Sequence, residues 1–109
     1  MDFDEYQRLA LRTASPRTAP HELLHLVLGL VGETGEVAEK FKKWVRDDAS
    51  DESRIDRADL TKELGDVLWY AAVLADYLDI SFDEIARLNI DKLASRAERG
   101  VLGGSGDHR

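Results

Sequence analysis

Leu60-Thr-Lys-Glu-Leu-Gly-Asp-Val-Leu-Trp-Tyr-Ala-Ala-Val-Leu-Ala-Asp-Tyr-Leu78 is the stretch on which the fold turns. Leu60, Leu64, Val67, Leu68, Ala71, Leu74, Ala75 and Leu78 recur at intervals of three and four, which draws one apolar stripe on a helix; a strand would alternate its faces instead. Upstream the same period runs through Leu23, Leu26, Val27, Leu30, Val37, Phe41 and Trp44. Pro20 suits a first helical turn, so a helix from there to about Asp47 is expected, roughly 40 Å long at ~1.5 Å per residue. Downstream, Ser81 and Glu84 form a capping-box pattern. It opens a further helix through Ile85, Leu88 and Leu93 to about Arg99, where Gly100 stops it. A short helix from about Asp2 to Ala14, carrying Leu9 and Leu11, precedes these and closes at Ser15-Pro16, because a residue before proline avoids helical angles. The acidic run from Asp47 to Ser53 has no apolar period and reads as a mobile connection.

No convincing strand competes with these helices. The expected fold is all-α, an antiparallel bundle of three to four main helices, with residues 1–99 as a single domain and 100–109 as a glycine-rich tail. Stripes this wide on helices this long are hard to bury in 109 residues. Completion by oligomerisation, as a homodimer or homotetramer, is therefore expected.

Charge and composition narrow the function. The formal net charge of -7 argues against a nucleic acid polymer as partner, because neutralising phosphates along a strand takes a positive surface. A small phosphate ligand stays open, since clustered carboxylates attract divalent metal, and a metal reverses the field a triphosphate meets. The absence of cysteine excludes disulfide, thiolate and zinc-thiolate chemistry. Met1 to Tyr6 lacks the basic-then-apolar order of a signal peptide, and no run of about 18 apolar residues could span a membrane, so the cytoplasm is the expected compartment.

Acidic pairs at spacing i, i+3 share a helix face. Asp2/Glu5, Glu36/Glu39, Asp48/Asp51, Asp56/Asp59 and Asp76/Asp79 are explicable as solvated faces or loop residues in so acidic a chain. Glu33/Glu36 and Glu63/Asp66 differ because they lie inside the two most apolar helices. At 100° per residue one strip holds His25, Gly29, Gly32, Glu33, Glu36, Lys40 and Lys43, and another holds Glu63, Asp66 and Tyr70 beside Val67 and Leu74. Antiparallel packing would bring four carboxylates into one volume. Like charges so close resist ionising together, and magnesium, which takes oxygen ligands and bridges carboxylates to phosphates, is the natural counter-charge. Gly29, Gly32, Gly35 and Gly65 each cost about 1 kcal/mol against alanine in a helix interior. Close helix approach would offset that, either around a bound ion and phosphate or as packing alone.

The segments Gly29-Leu-Val-Gly-Glu-Thr-Gly-Glu-Val-Ala-Glu39 and Lys62-Glu-Leu-Gly-Asp-Val-Leu-Trp-Tyr70 closely resemble the paired ExxE and ExxD motifs of MazG-like proteins, in the all-α nucleoside triphosphate pyrophosphatase superfamily. The resemblance continues through Leu78-Asp-Ile-Ser-Phe-Asp-Glu-Ile85, Asn89-Ile-Asp-Lys-Leu93 with Arg96, and Arg99-Gly-Val-Leu-Gly-Gly-Ser-Gly-Asp107. It implies hydrolysis of a nucleoside triphosphate between its α and β phosphates, with Mg2+ or substituting Mn2+ held by Glu33, Glu36, Glu63 and Asp66. Substrate contacts implied in the same way fall on Tyr70, Asn89 and Lys92. Glu36 is the candidate acceptor of the attacking water's proton, and Lys40, Lys43, Lys92 and Arg96 are cations that could meet phosphate oxygens or face solvent. Trp44 could stack on a base or belong to a core or subunit interface. The tail admits two readings, backbone N–H groups and Arg109 closing over phosphates or a loose end.

Three rival readings stand beside this one. His21-Glu22-Leu-Leu-His25 satisfies the H-E-x-x-H pattern of zinc metallopeptidases, but it sits at a helix start, His108 lies in the tail, and no third ligand is evident. Glu22-x-x-His25 is also half of a carboxylate di-iron motif whose second half is missing. A non-catalytic helical interaction module is the other alternative.

Overall fold

The structure, a computed structural model, describes residues 1–101 and 103–107. Four α-helices make up the fold, and no strand occurs among the described residues. They are α1 (Phe3–Ala10), α2 (Glu22–Asp48), α3 (Arg57–Tyr77) and α4 (Phe82–Glu98).

Local chemistry sets most of their ends. Asp2 accepts from the Glu5 N–H at 2.7 Å to start α1, Asp56 accepts from the Asp59 N–H at 3.0 Å to start α3, and the Ser81 hydroxyl accepts from the Glu84 N–H at 3.2 Å to start α4. Beyond Ala10 the expected first helix tightens into a 3₁₀ turn, Leu11–Thr13, before Ser15-Pro16 ends it. The 47–53 segment, expected as a mobile connection, folds into a defined corner. Ala49 and Ser50 take left-handed angles, a 3₁₀ turn spans Glu52–Arg54, and the Trp44 indole N–H donates to the Asp51 carbonyl at 2.7 Å. Polar residues build this corner from hydrogen bonds, a signal that apolar periodicity does not carry.

α2 and α3 form the main pair, and they run antiparallel. Leu26 shares a core cluster with Val73, Gly29 lies under the Tyr70 ring, and Lys40 reaches Glu63 and Asp59, so one number rises as the other falls. α1 packs across α3 and the start of α4. The buried Gln7 amide donates to the carbonyls of Ala72 and Ile80 and accepts from the Phe82 N–H, tying three helices at one side chain. The core is small: Ala10, Leu26 and Val73 in one cluster, Ala72, Ala75 and Phe82 in the other.

Of the apolar stripe expected on α2, only Leu26 is fully buried, while Leu23, Val27 and Phe41 stay exposed. On α3 the same holds for Leu64, Leu68 and Leu78. The radius of gyration is 16.9 Å, against about 13 Å expected for a compact chain of this length. No described helix is long and apolar enough to cross a membrane.

Candidate metal centre

α2 and α3 present their acidic faces to each other one turn away from the close contact at Gly29. A Cβ built on Gly29 would lie 2.1 Å from the Tyr70 ring, so the helices reach this separation only because residue 29 has no side chain. The rings of Trp69 and His25 meet Tyr70 edge-on, with centroids 4.9 and 6.2 Å away, and hold it there. Gly32, Gly35 and Gly65 meet nothing within 4 Å, so within one chain close helix packing accounts for Gly29 alone among these four glycines.

Beside this contact, one carboxylate oxygen from each of Glu33, Glu63 and Asp66 lies within 4.8 Å of the others. Glu33 and Glu63 are half-buried and Asp66 is exposed. Partial burial first, and then the charges of Asp66, Glu63 and Glu36, push the Glu33 carboxyl above its usual range. Glu36 stands outside the three-oxygen grouping, on the exposed side of α2, near enough for Glu33 to feel its charge. Lys40 borders the group, with its ammonium 2.9 Å from Asp59 and 3.8 Å from Glu63. The hydrogen bond and charge of Asp59 raise the Lys40 pKa and keep it cationic.

The donor set suits a hard cation. Three carboxylates offer oxygen, no thiolate competes, and the Glu33 carboxyl, raised by burial and then by its acidic neighbours, would gain from a positive charge there. The two histidines of the H-E-x-x-H pattern take no part in it. His21 sits in a left-handed cap with φ 59°, and the Nδ1 of His25 is 2.7 Å from the buried Glu22 carboxylate. Among the described residues Glu33, Glu63 and Asp66 are the one grouping able to hold a metal, so the zinc-peptidase pattern has no assembled site there. His108, weighed as a further ligand, and Arg109, weighed as a phosphate contact, lie outside the described residues.

The other expected site residues fall in three places. Tyr70 is next to the carboxylates, one turn along α3 from Asp66, and Lys43 is exposed on α2. Asn89, Lys92 and Arg96 are on α4, and no hydrogen bond or ion pair joins them to the carboxylates among the described residues. Arg96 is not at the surface: its side chain is 4% exposed and pairs with Asp107. Trp44 is half-buried and lines a cavity with Lys40, Phe41, Ile55, Asp59 and Leu60, so it belongs neither to the core clusters nor to open solvent. Two contributors were invisible in the sequence. Tyr6 from α1 has its phenol pKa raised by burial and then by the Asp66 charge, so it is within electrostatic reach of the centre. Asp59 reads as a solvated pair with Asp56, yet it is the anchor of Lys40.

Fold and centre together define an all-helical protein with a carboxylate site between two antiparallel helices. Residues 21–101 match the MazG nucleotide pyrophosphohydrolase domain, and the chain belongs to that family. It is similar to the Gene 37 protein of Mycobacterium phage L5, at 48% identity over 87 residues, which cover 80% of this chain and 76% of that protein. No solved structure matches it.

Proposed function

We propose that this protein is a magnesium-dependent nucleoside triphosphate pyrophosphohydrolase that cleaves NTP or dNTP between the α and β phosphates, releasing monophosphate and pyrophosphate, as nucleotide-pool house-cleaning in the cytoplasm. The observation that carries the reading is the meeting of Glu33, Glu63 and Asp66 across the α2–α3 groove, with Glu36 beside them. These four are the proposed metal ligands. Mg2+, or Mn2+ in its place, would screen the triphosphate's charge and make water a better nucleophile there.

The chain's own groups supply the rest. Glu36, exposed and next to the cluster, accepts the water's proton. Tyr70, fixed by Trp69 and His25, bounds the groove on one side. Lys40, held by Asp59, bounds it on the other, and the cavity at Trp44 beyond it is the proposed seat of the base. Lys43, Asn89 and Lys92 are the proposed polar contacts to substrate.

Residues 1–99 act as one domain in this reading, with the tail as an appendage. The working form is a homodimer or homotetramer, because Leu24, Leu28 and Val31 on α2 are 56%, 59% and 65% exposed in a single chain. A panel of nucleoside triphosphates with magnesium tests the chemistry directly. Monophosphate with pyrophosphate as first products is expected, and orthophosphate with diphosphate as first products overturns the cleavage position.

A further inference from the structure

α4 ends in a way that returns the chain along itself. Gly100 takes φ +71°, its N–H bonds to the Ala97 carbonyl at 3.2 Å, and the Val101 N–H bonds to the Arg96 carbonyl at 2.8 Å. This paired closure needs a left-handed residue just past the helix, which glycine supplies without a Cβ clash. Gly104 and Gly106 add further left-handed turns, with φ 89° and 86°. The reversed segment delivers Asp107 to Lys92 and Arg96, which are one helical turn apart on the same face.

One oxygen, Asp107 Oδ1, accepts from Lys92 Nζ at 2.9 Å and from Arg96 Nη2 at 2.9 Å, and Nη2 also donates to the Gly106 carbonyl at 3.3 Å. Exposure separates the three side chains. Arg96 is 4% exposed, Lys92 38% and Asp107 73%. Among the described residues the buried Arg96 Nε has no acceptor and Asp107 is the carboxylate paired with the guanidinium, so this desolvated cation depends on Asp107 for its counter-charge. Asp107 is in turn held by a residue that cannot move into solvent. Lys92 differs: an ammonium has three donors on a flexible stem, and Asp107 uses one.

We infer that Asp107 is a positioning residue, anchored by buried Arg96, that holds the Lys92 ammonium in one place while its other donors stay free for a substrate phosphate. Arg96 thus acts through the tail and not on phosphate. The inference rests on the reading of Lys92 as a phosphate contact. A flexible lysine loses side-chain entropy when it binds an anion, and a side chain already held in place loses less. A tail carboxylate acting as a competing anion would have the opposite effect on affinity, so the sign of the change decides between them.

The experiment uses the full chain with magnesium. It measures binding of inorganic tripolyphosphate by calorimetry and KM and kcat with nucleoside triphosphates, for Asp107→Asn, Asp107→Glu, Lys92→Met and the Lys92→Met/Asp107→Asn double variant. Asp107→Asn is expected to weaken tripolyphosphate binding and raise KM about two- to five-fold, the range of a partly exposed ion pair, with a smaller change in kcat. Asp107→Glu should recover part of the loss, and the double variant should bind no worse than Lys92→Met, because the effect runs through that lysine. Unchanged or tighter binding in Asp107→Asn overturns the inference, as does a loss that persists undiminished in the Lys92→Met background. Wild-type binding by Lys92→Met instead overturns the phosphate-contact reading beneath it, so the two failures are distinguishable.

Discussion

Glu33 is the residue whose environment says most about the centre. Its carboxyl is raised above the usual range, so the fold without metal favours its protonated form. That favourable contribution is full below the unfolded pKa and lost as pH rises through the raised value. At neutral pH the metal-free protein therefore bears the cost of a partly desolvated Glu33 carboxylate and, after that, its repulsion with Asp66 and Glu63. Glu33→Gln is expected to raise the metal-free Tm and to blunt the Tm rise that magnesium gives the wild type; Asp66→Asn should blunt it as well. Thermal scans with and without magnesium check this, and an undiminished magnesium response in both variants places the metal elsewhere. Asp107 shows the reverse shift. Its hydrogen bonds to Arg96 and then Lys92 lower the pKa from 3.8 to about 2, so the pairing is intact above the ordinary carboxylate value and lost as pH falls through about 2. An NMR titration of side-chain carboxyl carbons should find Asp107 still ionised at pH 3; a midpoint near 4 would mean that the tail pairing does not form in solution.

Among the helices, α2 and α3 owe their separation to one missing side chain. Gly29→Ala would drive a Cβ into the Tyr70 ring and is expected to destabilise the protein by about 1–3 kcal/mol in chemical denaturation, despite the better helix propensity of alanine. A stability gain would show that the two helices are not so close. Gln7 has the corresponding role for α1. Gln7→Leu leaves the Ala72 and Ile80 carbonyls and the Phe82 N–H without that partner, at a cost of about 2–4 kcal/mol by the same measurement. Its limits explain which parts of the fold were legible in the sequence. Helical periodicity and caps such as Ser81 are local, and they located the helices to within a few residues. The i, i+3 spacing of Glu63 and Asp66 was legible for the same reason, since one helix fixes both. Gln7, Tyr6 and Asp59 were not, because their partners lie on other elements and a lone polar residue has no period. Arg96 read as a cation for phosphate or solvent, and its burial against Asp107 was not legible, because the glycine-rich tail gives no apolar sign that it folds back.

At the level of the whole molecule, the exposed apolar side chains and the extended shape point the same way. A chain of 109 residues with a radius of gyration of 16.9 Å and, among the described residues, six buried hydrophobic ones is short of core for its length. Leu24, Leu28 and Val31 lie on one flank of α2, and Leu64 and Leu68 add to the uncovered surface of α3. In the proposed assembly a second copy of the chain would cover this apolar surface. The state of assembly then changes what a single substitution does. In a lone chain Val31 is 65% exposed, and Val31→Glu would alter stability by no more than about 0.5 kcal/mol. At an interface the same change puts unpaired carboxylates into an apolar contact on each copy, and repulsion in an already acidic chain adds to the penalty. Val31→Glu is therefore expected to shift sedimentation from dimer or tetramer to monomer and to lower Tm in a way that depends on protein concentration. A wild type that sediments as a monomer at concentrations where it is active would refute the assembly, and in that case the variant should melt like its parent.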